Sequence, residues 1–289
     1  MAGDLLIGVS SLLFLCFALF RLSVTVRGGQ RPVLFSCVLL VSLLFGGLFS
    51  GRLLWAKLIP NEHVLFISNL TPLLLSVAAG FCLKSHHVSQ SWRPLFAGLF
   101  LIIASGYIIL PCVRPVLFPV TLSDSTIWKN DSCLQSHPSS CAPAAAVTLL
   151  NLEGCESTEQ DLASWCLTSG KGTEALGLYR GLKRALGQSS FAVQVAPSDP
   201  SQWMERRAVP NVCLVSLGGS KVNKLGAMFF GAELWNASAR GEGHAVVVRG
   251  QDSQGRWIIS DPAFGEALWS DQQLQERFTG EAIYLSRID

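Results

Sequence analysis

The hydrophobic and polar positions divide the 289-residue chain into two unlike halves. Up to about residue 121 the apolar residues form long tracts, whereas beyond it they follow short helical and strand periods. A membrane-spanning helix needs about 20 mainly apolar residues. The pattern therefore predicts a four-span α-helical membrane domain over residues 1–121, followed by a second domain over residues 122–289. The four tracts are Leu5–Val26, Val33–Trp55, Val64–Leu83 and Pro94–Leu110, the last extending towards Phe118.

The pattern after residue 121 predicts helices first and strands later. A mostly polar segment, Leu122–Ser140, leads to helices over Pro143–Glu153 and Thr158–Leu167, and a third helix begins at about Glu174. Helices followed by an antiparallel sheet indicate an α+β domain large enough for its own core. The predicted strands are 191–195, 212–217, 244–250, 256–262 and 282–288, with turn chemistry at Asp252–Gly255.

Composition and charge agree with this division. Hydrophobic residues make up 49% of the chain and charged residues only 15%, against about 25% in ordinary soluble domains. The downstream half contains fourteen Lys and Arg and eighteen Asp and Glu, with no basic stripe. This balance argues against nucleic acid as a partner and leaves the lipid bilayer as the partner of the upstream half.

Lysine and arginine in the short loops predict the orientation of the spans, because cytoplasmic loops are enriched in them. Loops one and three have the clearer positive excess. We therefore expect those loops in the cytoplasm, and both termini and residues 122–289 on the extracytoplasmic side. The charges are Arg21, Arg27 and Arg31 in loop one, Lys84 and Arg93 in loop three around His86 and His87, and Arg52, Lys57 and Glu62 in loop two.

Three residues of the downstream half suggest nucleophilic chemistry. A thiol attacks as the thiolate, which a helix N-terminus or a neighbouring imidazolium favours, and Cys141 immediately precedes the first predicted helix. This half has two histidines, His137 and His244, and Asp261 ends the strand after that of His244. Each residue alone fits a bland role: a buried thiol, a packed histidine, a turn aspartate. Together, Cys141, His244 and Asp261 predict a nucleophile, its base and a carboxylate that orients the base.

The other cysteines of this half leave two interpretations open. Cys133, Cys155, Cys166 and Cys213 are an even number that suits two disulfides in an oxidising compartment, or four buried thiols. The chain has no CxxC spacing and no Cys/His cluster, so no metal or other cofactor is predicted.

Over about residues 133–285 the chain resembles the bacteriocin-processing cysteine peptidase family, which removes double-glycine leader peptides and has a papain-like fold. The resemblance implies Cys141 as nucleophile, His244 as base and acid, Asp261 as orienting carboxylate, and Gln135 as an oxyanion donor beside the Cys141 N–H. The matching stretches are Gln135 six residues before "CAPA" at Cys141, Gly172-Thr173 opening a helix, "HAVVVRG" from His244 and "DPAFG" from Asp261.

The chain departs from the family pattern in three respects. Ala142 replaces the usual glycine, and the 289 residues contain no GxxxxGK[ST] motif for ATP. About 25 residues, 218–242, also separate the strand at 212–217 from His244, where a tighter connection is expected. Their lysines and apolar residues suggest either a lid that dips into the bilayer surface or a helix packed on the domain's own core.

The sequence thus predicts a multi-span membrane protein carrying a papain-like cysteine peptidase on the extracytoplasmic side, in a bacterial inner membrane. Its expected substrate is a peptide or membrane-tethered precursor, cleaved through an acyl-enzyme on Cys141. Two alternatives remain: a thiol-dependent acyl- or peptidyl-transferase, and a non-catalytic peptide-binding module. The oligomeric state is not indicated.

Overall fold

The computed structural model describes residues 2–26, 31–85, 89–217 and 243–288. Arg27, His86, His87 and the segment 218–242 with its proposed lid lie outside the described residues. The described residues form two compact units: residues 2–26, 31–51, 65–85 and 89–113, and residues 52–64, 114–217 and 243–288.

The upstream part of the chain is helical, with four stretches long and apolar enough to cross a membrane. Their number agrees with the four predicted spans. The helices are α1 (Ala2–Thr25), α2 (Arg31–Leu48), α3 (Leu54–Leu58), α4 (Val64–Ile67), α5 (Thr71–Lys84) and α6 (Arg93–Leu117).

Two spans differ from their predicted extents. α2 ends at Leu48 instead of continuing to Trp55, and Gly51 then adopts φ +74°, a conformation that suits glycine. The third tract is interrupted after α4, and the helix resumes at Thr71 with Pro72 in its first turn. Proline has no N–H to donate, so the first turn is the position in a helix that tolerates it.

Within the first unit, α5 packs closely against α1. Gly80 permits the approach, because a Cβ at this position would overlap the Ser23 side chain and lie 2.8 Å from the Phe20 carbonyl oxygen. Small residues at such crossings are typical of helices that associate in membranes.

The second unit combines helices with an antiparallel sheet, as the sequence predicts. Its six strands are ordered β3-β8-β4-β5-β6-β7, and a separate hairpin pairs β1 with β2. Its elements are β1 (Ile127–Lys129), β2 (Ser132–Leu134), α7 (Cys141–Leu152), α8 (Glu159–Trp165), α9 (Ala175–Leu186), β3 (Phe191–Val195), a 3-10 turn (Pro200–Gln202), β4 (Asn211–Ser216), β5 (Gly243–Gln251), β6 (Trp257–Asp261), β7 (Gly265–Trp269), α10 (Asp271–Arg277) and β8 (Phe278–Arg287).

Five elements differ from the sequence prediction. The polar approach segment contains the β1–β2 hairpin, whose strands of three residues each are too short to show a period. β7 and α10 were not predicted, and α7 begins at Cys141 itself rather than at Pro143.

α7 is the central helix of the second unit. Residues 142–150 are all buried, and the helix contacts β2, β4, β5, β6, α8 and α9. Alanine-rich sequence allows this close packing on all sides. A further part of the core is aromatic: Trp203 packs edge-on against Trp257 and Phe278, with ring centroids 5.9 and 5.2 Å apart.

The segment 52–64, between the second and third predicted spans, belongs to this unit. Leu53 is only 1% exposed, and its N–H donates to Glu281 Oε1 at 2.8 Å. Glu62 forms a longer ion pair with Arg184, at 3.7 Å. The loop is therefore part of the folded domain rather than a free connection.

The end of α6 is also built into the second unit. Arg114 donates to Glu174 Oε1 at 2.7 Å, and the Gly170 N–H donates to the Phe118 carbonyl oxygen at 2.7 Å. The Gly170 carbonyl oxygen in turn accepts from Ser139 Oγ at 2.9 Å, and Ser139 lies two residues before Cys141. These bonds connect the chain entering the domain with the loop that precedes α7.

Candidate active site

Cys141 is the first residue of α7 and is partly accessible, unlike the nine residues that follow it. The preceding residue, Ser140, makes no side-chain cap to this helix. The N–H groups of the first turn are therefore left for other acceptors, and together with the helix dipole they favour a negative charge at this end. A thiolate at Cys141 is the group in position to benefit.

His244 and Asp261 lie on the neighbouring strands β5 and β6. Their side chains are joined by a hydrogen bond of 2.7 Å between His244 Nε2 and Asp261 Oδ1. The His244 ring is also hydrogen-bonded to the Cys141 side chain. Since Nε2 faces the carboxylate, Nδ1 is the ring atom left for the thiol. The structure thus brings Cys141, His244 and Asp261 into one contiguous set.

The surroundings of His244 favour its protonated form and raise its pKa from 6.5 to about 9. Burial is the largest single influence and acts in the opposite direction, because the side chain is only 9% exposed. The hydrogen bonds to Asp261 and Cys141 and the negative charges of both outweigh the burial. His244 is therefore favoured as the imidazolium ion at neutral pH.

Asp261 is buried and makes a second hydrogen bond. Its side chain is 1% exposed, and Oδ1 also accepts the Ala263 N–H at 2.8 Å. A buried carboxylate satisfied in this way fixes the orientation and tautomer of the ring that it contacts.

Gln135 directly follows β2 and is bonded to the turn after Asp261. Its backbone N–H donates to the Pro262 carbonyl oxygen at 2.8 Å, which joins its loop to the turn following Asp261. Its side-chain Nε2 donates to the His137 carbonyl oxygen at 3.1 Å, and Oε1 has no partner among the described residues. One N–H of the side-chain amide remains for a ligand.

The other histidine of this half, His137, is bonded within its own loop. Its Nδ1 accepts the Ser139 N–H at 3.0 Å, and its carbonyl oxygen accepts from Gln135 and Ser140. His244, not His137, is therefore the histidine bonded to the thiol.

All nine cysteines are free thiols, including the four considered above for disulfides. Burial raises the pKa of Cys133 and of Cys166 to about 12, and it raises the pKa of Cys213 further still. The negative charge of Glu159 adds to the effect at Cys133. These thiols stay protonated at neutral pH, so they are poor nucleophiles beside Cys141.

Sequence reasoning missed Glu159, which contacts the residue after Gln135. Its buried carboxylate accepts from the N–H and the hydroxyl of Ser136. An acidic residue in the first turn of a helix is common for reasons of the dipole alone, so the sequence contains no signal for this contact.

In the part of the chain that the structure describes, no group of three or more His, Cys, Asp or Glu side chains is arranged to hold a metal ion. The chemistry available at the site is that of a thiol, an imidazole and a carboxylate.

Comparison with known proteins gives structural similarity only. No family model matches the chain, and no curated protein matches it. Among solved structures, the peptidase domain of Streptococcus ComA, a bifunctional ABC transporter of a quorum-sensing pathway, is similar with 20% identity and a TM-score of 0.39. It aligns with 53% of this chain and 96% of its own.

Two further structures are similar at the same level. The peptidase domain of Streptococcus mutans ComA has 21% identity and a TM-score of 0.37, over 54% of this chain and 98% of its own. A double-glycine-motif protease from an AMS/PCAT transporter, solved with its leader peptide, has 14% identity and a TM-score of 0.37, over 59% and 91%. The function proposed below rests on the site's own geometry.

Proposed function

We propose that this protein is a membrane-anchored cysteine peptidase that cleaves peptides through an acyl-enzyme formed on Cys141. The observation that carries the proposal is the continuous set from the N-terminus of α7 through His244 to the buried Asp261. A thiol, a base and an orienting carboxylate in hydrogen-bonded order are the parts that acyl transfer to a thiol requires.

The first half of the reaction follows from these positions. The Cys141 thiolate attacks the carbonyl carbon of the scissile bond, and the electrons of the C=O bond move to its oxygen. The Cys141 N–H and the free N–H of the Gln135 amide stabilise this oxyanion. His244 gives its proton to the leaving amine as the C–N bond breaks, which leaves a thioester.

Water completes the cycle. Neutral His244 takes a proton from a water molecule, whose oxygen attacks the thioester carbon and releases the carboxylic acid. The proton returns the site to its starting thiolate–imidazolium state. Asp261 stays ionised throughout, orients the ring and stabilises its positive form.

Residues 122–289 are the proposed catalytic domain, and residues 1–121 its four-span anchor. The proposed substrates are peptides, or precursors tethered to the bilayer, with the site on the extracytoplasmic side. The four apolar helices support the anchor, and the loop charges support the orientation.

The decisive experiment measures alkylation of the purified full-length protein by iodoacetamide from pH 5 to 9, followed by peptide mapping. We expect fast labelling of Cys141 and slow labelling of the buried cysteines, and His244→Ala should slow Cys141 labelling at least tenfold near pH 7. His63→Ala, at a half-buried histidine that is paired with Glu62, is the matched control and should change nothing.

Turnover is then tested with a fluorogenic peptide ending in Gly-Gly-7-amido-4-methylcoumarin. Cys141→Ala should abolish release of the fluorophore, whereas Cys155→Ala, at the other partly buried thiol of the domain, should not. If Cys141 reacts no faster than a free thiol, or if hydrolysis persists in Cys141→Ala, the proposal is wrong.

A further inference from the structure

The two proposed oxyanion donors stand at either end of one short loop. Residues 135–140 join β2 to α7, with the Gln135 amide at the start and the Cys141 N–H directly after the end. Two donors stabilise one oxygen only if their separation is fixed before the reaction, and misplacement by about 1 Å costs on the order of a hundredfold in rate. Whatever holds this loop therefore controls the site.

Glu159, the first residue of α8, is hydrogen-bonded to the loop 135–140. Its carboxylate accepts the Ser136 N–H at 3.0 Å and 3.3 Å through its two oxygens, and the Ser136 hydroxyl at 2.7 Å. Ser136 directly follows Gln135 in the chain. The same hydroxyl accepts the Ser123 N–H at 3.1 Å, so its proton is directed towards Glu159.

The environment of Glu159 is unusual for a carboxylate. The residue is only 2% exposed, and among the described residues no Lys, Arg or His side chain is paired with it. A buried charge is costly unless hydrogen bonds compensate, and here the Ser136 groups supply them. Bonds to an ionised acceptor are about twice as strong as neutral ones. The Glu159 carboxylate therefore binds Ser136 more strongly than a neutral side chain at position 159 would.

We propose that Glu159 is a positioning residue of the active site: by binding both polar groups of Ser136, its carboxylate sets the position of the Gln135 amide relative to the Cys141 N–H. This inference rests on the proposed peptidase function. Glu159 acts through Ser136 and does not touch the substrate. Its contribution appears when the oxyanion forms and not when the substrate binds.

The proposal differs from a purely structural role in what it affects. A carboxylate that only stabilises the fold would change thermal stability and leave kcat of the folded protein unchanged. A carboxylate that positions Gln135 lowers kcat, leaves KM nearly unchanged, and loses its effect once Gln135 is absent.

The test uses Cys141-dependent hydrolysis of p-nitrophenyl acetate by the full-length protein, with the rate of Cys141→Ala subtracted. Glu159→Gln keeps the side chain's size but places an amide nitrogen against a donor. We expect a 10- to 100-fold lower kcat with KM changed less than twofold. Glu156→Gln, an exposed acid three positions earlier, is the control for charge and should match wild type.

A double variant separates positioning from folding. Gln135→Ala with Glu159→Gln should be no slower than Gln135→Ala alone, because the carboxylate acts through the Gln135 amide. The assignment is overturned if the fold-losses in kcat of the two single variants multiply in the double variant. It is also overturned if Glu159→Gln has the kcat of wild type.

Alkylation of Cys141 by iodoacetamide forms no oxyanion, so it should proceed at the wild-type rate in Glu159→Gln. This measurement distinguishes the two proposals. A wild-type protein with neither fast Cys141 alkylation nor Cys141-dependent ester turnover refutes the peptidase function and the positioning role together. A wild type active in both assays, with an equally active Glu159→Gln, refutes only the positioning role.

Discussion

His244 is the residue whose charge decides the pH range of the proposed chemistry. Its pKa lies near 9 because the interactions with Asp261 and Cys141 exceed the effect of burial. The imidazolium that must protonate the leaving amine is therefore present throughout neutral pH. Catalysis limited by this group declines on the alkaline side, not the acidic side.

We expect peptide turnover to fall as pH rises through about 9, where His244 loses its proton. The measurement is the pH profile of kcat between pH 6 and 10. Asp261→Asn removes one source of the raised pKa, so the alkaline limb should move to lower pH and kcat should drop about a thousandfold or more. An alkaline limb that stays in place in Asp261→Asn would contradict the assigned pair.

The same shift affects stability with a defined sign. The pKa of His244 is raised on folding, so protonation favours the folded state, fully below pH 6.5 and progressively less as pH rises through about 9. The unfolding midpoint of wild type should therefore exceed that of His244→Gln most at about pH 6, with the difference shrinking towards pH 10. A constant difference would show that the ring contributes packing alone.

At the scale of residues, the sequence predicted the contact between His244 and Asp261 but not the contact between Glu159 and Ser136. Strands 244–250 and 256–262 are joined by the five residues 251–255, so an antiparallel hairpin brings Asp261 close to His244. Val247 indeed lies opposite Ser260. Glu159 could not be found in the same way. Its contact with Ser136 joins α8 to the loop before α7 through tertiary packing, which leaves no trace in local spacing.

At the scale of elements, the position of α7 depends on how tightly α8 and α9 pack beside it. Gly181 in α9 faces Cys166, the residue that follows α8, so closely that a Cβ would overlap the Cys166 sulfur and lie 3.1 Å from its backbone nitrogen. Gly177 meets the Cys166 carbonyl oxygen in the same way. Two glycines one turn apart thus allow the helices to touch along their backbones.

Gly181→Ala should lower stability by about 1–3 kcal/mol, because the overlap outweighs the better helix propensity of alanine. The measurement is thermal unfolding of the purified protein. Gly98→Ala, in α6 where a Cβ meets nothing within 4 Å, is the control and should not destabilise. Cys166→Ala removes the overlapping sulfur, so adding it to Gly181→Ala should recover part of the loss. If the single Gly181 variant is as stable as wild type, the close packing is wrong.

Element prediction succeeded where periods were long and failed where they were short. Three helices of the second unit and five of its strands were predicted. The Thr158 side chain caps α8 by accepting the Asp161 N–H. β1 has three exposed residues, and β7 alternates exposed and buried positions over only five. Such segments become strands because they pair with other segments of the chain, and local sequence patterns do not encode that pairing.

At the scale of the whole molecule, the second unit is larger than its sequence boundary suggests. Residues 52–64 and 114–121 lie upstream of residue 122 yet belong to this unit. Leu53 is buried in it, whereas its neighbour Leu54 is 47% exposed. The predicted domain boundary therefore omits part of the folded core.

Leu53→Ala should destabilise the protein by about 2–5 kcal/mol, since it removes a fully buried side chain. Leu54→Ala, one position later and largely exposed, should change stability by less than about 0.5 kcal/mol. Thermal unfolding compares the two directly. Equal effects would mean that the loop does not pack on the domain.

The segment 52–64 belongs to the second unit, and this predicts the membrane topology of the chain. The loop between spans two and three must lie on the same side of the membrane as the proposed catalytic domain. In a cysteine-free background, Asn61→Cys and Gln254→Cys should react with an impermeant maleimide from the extracytoplasmic side. Ser91→Cys, in the third loop, should react only after the membrane is opened. Labelling of Ser91→Cys together with the other two would reverse the expected orientation.

The hydrogen bond from Gln135 to Pro262 has a consequence for biosynthesis. Gln135 is synthesised before Cys141, and Pro262 is synthesised after His244. The hydrogen bond can therefore form only when both segments have left the ribosome. At translation rates of about 5–20 residues per second, the roughly one hundred residues between Cys141 and His244 take on the order of 5–20 seconds to synthesise. During that interval the nascent thiol has no base. The unfinished chain therefore lacks part of the proposed catalytic set until residue 262 has been added.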